Sequence, residues 1–309
     1  MEINSAKRIE IEDKPLFDKY FKTYQPQNGE FTFTNLFMWR KYTGLKYMEW
    51  KDHLIMFSQD YLKKWKAPSS GAKDALYFFP PVGPNPAENM LSILAEIEGV
   101  EFHRVSGDLS LQLMNFPEFN KLKIEIVDDR DNWDYVYETE IMKTLPGNKH
   151  RQNRRWLNKF LENYEYELRF IDTKEMVEKT KELQLEWCIM RGCEDDEGLE
   201  QEQIAIYEAL DHFEELGFRG ILIGVNKECV AYTFGEMLND DTIVIHIEKA
   251  HMEYEGAYQA IGNLFLKNCY QGAKYVNREQ DLGIPGLRRA KESYKPHHMV
   301  EKNILFKKS

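Results

Sequence analysis

The sequence predicts an α+β protein built from two tandem domains, each with a mixed central sheet flanked by helices. The chain of 309 residues is too long for one ordinary domain and suits two of roughly 150 residues each. Its composition, 42% hydrophobic and 30% charged, is typical of a globular protein with a substantial core. In each half, two segments with helical periodicity precede a run of β-rich segments.

The C-terminal half has the clearest pattern of elements. Apolar residues recur there at helical spacing in some segments, while β-branched and aromatic residues dominate others, with short polar turns between them. The predicted strands are Tyr166–Ile171, Arg219–Val225, Cys229–Met237, Thr242–Glu248, Lys274–Val276 and the region His298–Phe306. The predicted helices are Lys174–Met190, Leu199–Leu216, Gly256–Tyr270 and Pro285–Tyr294, the last with proline at a favoured first position.

The N-terminal half repeats that order of elements. Its predicted helices are Asp13–Phe21, Thr34–Tyr42, Pro86–Glu98 and Leu109–Phe116. Its predicted strands are Leu45–Trp50, His53–Ser58, Ala75–Phe79, Glu101–Val105, Leu122–Val127 and Trp133–Glu140. Repetition at half the chain length suggests two copies of one fold. We therefore predict domains at 1–145 and 146–309, joined at the Pro-Gly segment Thr144–Asn148.

Composition also limits the function. A formal net charge of −11 opposes a generic nucleic-acid binder, which needs a basic surface to neutralise phosphates. No apolar run approaches the roughly 18 residues of a membrane span, so we expect no integral membrane segment and a cytoplasmic location. The cysteines form no CxxC pair, which predicts reduced thiols and no metal site. They are Cys188, Cys193, Cys229 and Cys269.

Three segments carry a resemblance to known families. They read FTFTNLFMWR near the start, LPGNKHRQNRRWLNKF at the junction, and HIEKAHMEYEGAYQAIGNLF followed by YVNREQDLGIPGLRRAKESYKP. The element order resembles that of GCN5-related N-acetyltransferases (GNAT), and two in tandem resemble the peptidoglycan aminoacyltransferases. The sequence is more similar to the C-terminal domain family of phosphatidylglycerol lysyltransferase and its soluble relatives. This resemblance implies transfer of an acyl or aminoacyl group from a thioester or aminoacyl-tRNA to an amine or hydroxyl.

The strand Thr242–Glu248 offers two candidate bases. Period-two alternation predicts that His246 and Glu248 share one face of the strand. The other face would hold Ile243, Ile245 and Ile247. The resemblance implies that a general base lies near the end of this strand, with Glu248 the first candidate and His246 the second. The alternative is a histidine packed in the core and a glutamate paired with a neighbouring cation.

The loop before the helix Gly256–Tyr270 is a candidate donor site. Backbone N–H groups of Gly256, Ala257 and Tyr258 open the helix, where anions bind well. The sequence departs from the Gln/Arg-x-x-Gly-x-Gly/Ala loop of acetyltransferases that bind coenzyme A. Glu253 and Glu255 would also repel a diphosphate. The alternative is a loop that only caps the helix.

A basic run lies at the junction between the predicted domains. Residues 143–160 hold six basic side chains and no acid. On a helix, the residues predicted to face the core are Trp156, Leu157, Phe160 and Leu161. Arg151, Arg154 and Arg155 would then form a cluster able to contact phosphates, and the resemblance implies tRNA as the partner. The alternative is a solvated basic helix neutralised by the acidic loop 194–202.

The segment after Val276 contributes the last candidates. Arg289-Ala290-x-x-x-Tyr294 resembles the final acetyltransferase helix, which implies that Tyr294 is the general acid for the leaving group. Four polar residues precede that helix and are predicted to bind substrate: Asn277, Arg278, Glu279 and Asp281. Arg278 suits a carboxylate or phosphate, and Glu279 or Asp281 suits an acceptor ammonium. The alternatives are a packed tyrosine and a salt-bridged turn.

Together these features predict an N-acyl- or aminoacyltransferase that uses no metal and forms no covalent enzyme intermediate. The predicted donor is acyl-CoA or aminoacyl-tRNA, and the predicted acceptor is a small-molecule or peptide amine. A second hypothesis is a non-catalytic binding module of the same fold that recognises RNA or a peptide.

Overall fold

The protein folds into two compact units in the computed structural model, which describes residues 1–64 and 66–308. Unit 1 holds Met1–Asp134 together with the C-terminal residues from Val300 onward, and unit 2 holds Tyr135–Met299. Within the described residues, both units combine a mixed sheet with flanking helices, which confirms the predicted α+β class. None of the helices in this described part is long and apolar enough to cross a bilayer.

The elements follow the chain in this order. The strands are β1 (Lys7–Arg8), β2 (Lys46–Trp50), β3 (His53–Ser58), β4 (Leu76–Phe78), β5 (Val100–Ser106), β6 (Ile124–Asp128), β7 (Asp134–Glu138), β8 (Tyr166–Phe170), β9 (Arg219–Val225), β10 (Glu228–Met237), β11 (Thr242–Ala250), β12 (Tyr275–Asn277), β13 (His298–Val300) and β14 (Lys302–Lys307). The helices are α1 (Lys14–Tyr24), α2 (Phe33–Thr43), α3 (Tyr61–Lys64), α4 (Pro86–Glu96), α5 (Gly107–Met114), α6 (Pro117–Lys121), α7 (Thr139–Thr144), α8 (Arg151–Asn163), α9 (Lys174–Arg191), α10 (Glu197–Asp211), α11 (Phe213–Leu216), α12 (Ala257–Asn268) and α13 (Pro285–Ser293).

The two sheets have the same strand order. The first runs β1-β2-β3-β4-β5-β14-β6, and the second, read from its other edge, runs β8-β9-β10-β11-β12-β7-β13. Each repeat therefore supplies one strand to the other repeat's sheet: β7 pairs with β12, and β14 pairs with β5 and β6. This exchange is why the compact units divide at residue 134 rather than at the predicted 145, and why the last strand returns to unit 1.

The core of unit 2 lies between its sheet and α12. Ala260, Ile261 and Phe265 of that helix are fully buried and share a hydrophobic cluster with Ile243 and Ile245 of β11. Burying such an aliphatic or aromatic side chain stabilises a fold by roughly 1.5–3 kcal/mol. This packing fixes α12 against β11, and the side chains at the end of β11 consequently meet the first turns of the helix.

A β-bulge at His246 changes which face of β11 each residue occupies. Phe234 of β10 pairs with Ile247 and the next residue, Gly235, pairs with Ile245, so His246 is an extra residue. A side chain at position 235 would bring its Cβ to 2.2 Å from the Val244 carbonyl oxygen. The predicted common face of His246 and Glu248 is therefore wrong. Glu248 follows the bulge and lies on the α12 side of the sheet.

Two further sequence predictions need correction. Cys188 and Cys193 form a disulfide, so the prediction of reduced thiols is wrong for this pair, while Cys229 and Cys269 are free. Gly192 ends α9 with a left-handed φ of 67°, which turns the chain back and brings the two cysteine Cα atoms within 5.2 Å. In α8, Leu157 and Phe160 are buried as predicted, but Leu161 is exposed.

Candidate active site

The candidate site lies where two parallel strands of unit 2 diverge. Strands β11 and β12 pair over three positions only, and the last pair is Val244 with Asn277. Asn277 is fully buried, and its Oδ1 accepts a hydrogen bond of 2.7 Å from the Glu279 N–H. The amide of Asn277 thus shapes the turn that follows β12. Beyond this point the side chains of the two strand ends meet each other.

Arg278, Glu248 and Tyr294 form one buried set. Arg278 Nη2 donates to Glu248 Oε1 at 2.5 Å, and the guanidinium carbon lies 5.0 Å from the centre of the Tyr294 ring. The side chains of Arg278 and Gln259 also lie close enough to Tyr294 to lower the pKa of its phenol. The structure therefore brings the predicted base and acid together through a third predicted residue.

The electrostatics of this set fix its protonation at neutral pH. Burial would lower the pKa of Arg278, but Glu248 and two buried tyrosines raise it above its usual value. Burial raises the pKa of Tyr294 to about 12, against the opposing effect of Arg278. The guanidinium is therefore charged and the phenol protonated. Among the described residues, Glu248 Oε2 has no hydrogen-bond partner, and a Cβ at Gly262 would lie 2.8 Å from it.

His246 is held as a cation between two carboxylates. Its Nε2 lies 3.0 Å from Glu236 Oε1 and its Nδ1 lies 3.1 Å from Glu279 Oε1. Burial alone would lower the pKa of His246, but these two carboxylates raise it to about 9. Both ring nitrogens therefore donate at neutral pH. His246 thus links β11 to the turn after β12 through two ion pairs. The protonated ring has no lone pair with which to accept another proton.

The turn after β12 is fixed by internal bonds. Asp281 is fully buried and accepts 2.8 Å bonds from Arg288 Nε and Nη2, and its Oδ2 accepts 2.6 Å from the Tyr135 hydroxyl. Although burial opposes it, these donors hold the pKa of Asp281 well below its usual range. Lys291 donates to the carbonyl of Arg278. The structure thus places the carboxylate of Asp281 in a salt-bridged corner of the turn.

Glu279 itself adopts a left-handed φ of 55°, which is costly for a residue with a side chain. Its N–H donates to Asn277, and its carbonyl accepts 3.2 Å from the Tyr135 N–H. These contacts offset a strain of roughly 1 kcal/mol and aim the carboxylate at His246.

The predicted donor loop is packed against α8. Gly256 has a left-handed φ of 86°, and a Cβ there would lie 2.1 Å from the Trp156 carbonyl oxygen. The Ala257 N–H donates to the Tyr254 carbonyl at 3.0 Å, and Ala257 is buried. The Tyr258 hydroxyl accepts from Trp187 Nε1 at 3.2 Å. One of the three predicted anion-binding N–H groups is therefore already used within the loop.

The predicted arginine cluster is divided in the structure. Arg154 Nη1 donates to the carbonyls of Leu145 and Gly147, and thereby holds the end of α7. Arg151 and Arg155 are exposed on α8. Lys159 pairs with Glu255 rather than with the acidic loop 194–202. Two of the three arginines consequently remain on a surface that phosphates can reach.

Sequence reasoning missed several residues that build the site. Gln259 and Gly262 stand one turn apart on α12 and contact Tyr294 and Glu248 respectively. Their spacing on a predicted helix after the candidate strand is a pattern that could have found them. No sequence pattern connects Asp281 to Tyr135, which lies 146 residues earlier.

Two solved structures share the fold of the chain. The structure of L-PGS from Bacillus licheniformis matches with a TM-score of 0.66 at 13% identity, covering 100% of this chain and 95% of that chain. The C-terminal domain of a putative lysylphosphatidylglycerol synthetase from Agrobacterium fabrum matches with a TM-score of 0.64 at 9% identity, covering 97% and 93%.

The family model described as phosphatidylglycerol lysyltransferase, C-terminal, matches residues 21–306, and the chain belongs to that family. A conserved protein of unknown function from Bacteroides thetaiotaomicron is 28% identical with a TM-score of 0.85, covering 97% of this chain and 98% of that one. An uncharacterised protein of Mycoplasmoides gallisepticum is 24% identical over 195 residues, which is 60% of this chain and 59% of that relative.

Proposed function

We propose that the chain is an aminoacyl- or acyltransferase that moves its group from an ester or thioester donor to an amine or hydroxyl acceptor. The observation that carries the proposal is the buried set of Arg278, Glu248 and Tyr294 at the divergence of β11 and β12. Membership of a lysyltransferase family supports the same reaction class. The proposed acceptor is a small-molecule or peptide amine.

The three side chains suit the proton movements of this reaction. The acceptor attacks the donor carbonyl, and Glu248 Oε2, which has no other described partner, takes the proton that the acceptor loses. The bond to the leaving oxygen or sulfur then breaks, and the Tyr294 phenol protonates that atom. Arg278 is bonded to Glu248 and lies beside the Tyr294 ring, so it stabilises the carboxylate before the step and the phenolate after it.

We further propose that the donor is an aminoacyl ester of tRNA rather than acyl-CoA. The start of α12 is poorly suited to a diphosphate, because Gly256 lies against the Trp156 carbonyl and the Ala257 N–H is already bonded. Glu253 and Glu255 add exposed negative charge beside it. Arg151 and Arg155 offer exposed cations for an RNA backbone on α8. Because both donors are cytoplasmic metabolites, the proposal places the reaction in the cytoplasm.

Transfer assays with the matched carboxylate and phenol variants test the mechanism. The full chain is incubated with radiolabelled lysyl-tRNA or acetyl-CoA and a mixture of amine acceptors, and transferred label is measured. Glu248→Gln and Tyr294→Phe are each expected to lower the rate by about 10²–10⁴-fold. Glu214→Gln and Tyr270→Phe serve as controls, since both residues lie outside the set. Full activity in both site variants would contradict the assigned roles.

A non-catalytic binding module is the second candidate. It is favoured by the internal bonding of Arg278, Glu279 and Asp281, the residues that were predicted to bind substrate. This candidate predicts tRNA binding that weakens steeply with salt and with Arg151→Gln plus Arg155→Gln, in the absence of transfer from either donor. Transfer of label by the wild-type chain would eliminate it.

A further inference from the structure

Unit 1 has a polar cluster at the position that the candidate site occupies in unit 2. Strands β4 and β5 pair in parallel over three positions and diverge after Phe102, as β11 and β12 do after Asn277. The next two residues are His103 and Arg104, and Arg104 has a left-handed φ of 61°, close to the 55° of Glu279. The same backbone device therefore recurs in unit 1 with different side chains.

The chemistry of this cluster begins with a histidine and a carboxylate. His103 is fully buried, and its Nε2 lies 3.1 Å from Glu101 Oε2. Glu101 also accepts from the Ser69 N–H at 3.1 Å, the Ser70 N–H at 2.8 Å and the Ser70 hydroxyl at 2.5 Å. Against the effect of burial, these bonds lower the pKa of Glu101 to about 2, so it only accepts hydrogen bonds.

The tautomer of His103 follows from these contacts. Burial, with nearby Lys66 and Arg104, lowers the pKa of His103 to about 4 against the opposing effect of Glu101. The ring is therefore neutral, and the nitrogen that faces Glu101 must carry the single ring proton. Its Nδ1 is left as an acceptor and has no hydrogen-bond partner among the described residues. A buried acceptor without a donor is unfavourable and indicates a missing partner.

Two cations, Lys66 and Arg104, lie near enough to His103 to lower its pKa, and an aromatic ring stacks on the imidazole. The ring of Tyr77 stacks on His103 with centroids 4.5 Å apart. The Lys66 ammonium lies 3.8 Å from Asp129, a carboxylate that already accepts 2.8 Å bonds from Arg104 and Asn132. Burial and the neighbouring guanidinium lower the pKa of Lys66, against the effect of Asp129. An additional anion beside Lys66 would be favourable for these reasons.

We propose that unit 1 holds a second ligand site, in which His103 Nδ1 accepts a hydrogen bond from a small organic acid whose carboxylate faces Lys66. The ligand class is a carboxylic acid that carries a hydroxyl or amino group on the neighbouring carbon. The carboxylate pairs with the ammonium, and the adjacent donor supplies the bond that the imidazole lacks. This site lies wholly in unit 1 and does not depend on the function proposed for unit 2.

Lactate and propionate are matched probes, because they share the carboxylate and carbon chain and differ by the hydroxyl. Each is titrated into the full chain while the ring nitrogens of His103 are followed by ¹⁵N NMR. We expect lactate to bind about tenfold more tightly than propionate and to move the Nδ1 resonance, since only lactate donates to it. Equal affinities, an unmoved Nδ1 resonance, or no binding of either acid would overturn the proposal.

Three variants separate the two halves of the recognition. His103→Phe keeps a flat ring and is expected to make lactate and propionate bind equally. Lys66→Met should weaken both acids by a similar factor, while Lys63→Met, which removes an exposed lysine beside Asp74, should change neither. A tenfold preference for lactate that survives in His103→Phe would refute the assigned contact. If that variant fails to fold, the wild-type titration still decides the proposal.

Discussion

The two ion pairs of His246 predict a specific loss of stability at high pH. The pKa of His246 in the folded protein is about 9, against an ordinary value of 6.5. Because the folded value is raised, the protonated ring stabilises the fold fully below pH 6.5, and this contribution disappears as the pH rises through 9. The difference corresponds to about 3 kcal/mol, since each tenfold change in the proton equilibrium is worth 1.36 kcal/mol. The imidazole is fully buried, so solvent screening does not reduce this figure.

The difference between wild type and His246→Gln isolates this contribution, because other titrating groups are common to both chains. The free energy of unfolding of unit 2 is measured from pH 6 to pH 10 by peptide-level hydrogen exchange in urea, corrected for the intrinsic pH dependence of exchange. We expect the advantage of wild type over the variant to shrink by about 3 kcal/mol across this range. His212→Gln is the control, since solvent reaches that ring. A constant advantage across the range would show that His246 is not the raised group.

Three substitutions test other buried contacts. Asp281→Ala should destabilise unit 2 by about 2–4 kcal/mol in urea melts, because the buried Tyr135 hydroxyl loses its acceptor; a change below 1 kcal/mol would contradict this. Gly262→Ala gains helix propensity but displaces the Glu248 carboxylate, so stability should change by less than about 1 kcal/mol while transfer falls at least tenfold. Unchanged transfer would refute that reasoning. Lys302→Met removes the ammonium that lies 2.6 Å from each of two buried carboxylates. We expect this substitution to destabilise unit 1 by about 3–5 kcal/mol in thermal melts, because both carboxylates lose their cation. A loss under 1 kcal/mol would contradict this.

Local patterns predicted the elements of the fold, while pairing over long distances could not be read from them. The alternation in residues 219–248 marks three strands because side chains on a strand alternate between faces. Nothing in β7 or β14 indicates the partner strand, since any strand of suitable pattern offers the same backbone groups. The bulge at His246 escaped detection for a related reason. Thr242–Ala250 is buried on both faces for most of its length, so an extra residue leaves little trace in the apolar pattern.

The same distinction applies to the candidate site. An alternation pattern indicates Glu248 and a resemblance indicates Tyr294, each without reference to the other, and the sequence predicts substrate binding for their common neighbour Arg278. The ion pair of Arg278 with Glu248 joins residues thirty positions apart and depends on how far the strands diverge. The disulfide is similar, because a spacing of five residues between cysteines favours no particular pairing until α9 is seen to end at Gly192.

Two ion pairs of opposite polarity join the diverging ends of β11 and β12. The cation His246 on β11 meets the carboxylate of Glu279, and the carboxylate of Glu248 on β11 meets the cation Arg278. Past Asn277 no ladder hydrogen bonds join these two strands, so the links hold their ends at a fixed separation. Charged hydrogen bonds in a buried setting are stiff. Removing one partner leaves the other charge buried and unpaired. The separation of the two strand ends is therefore set by these side chains, and loss of the proton of His246 would weaken one of the two links.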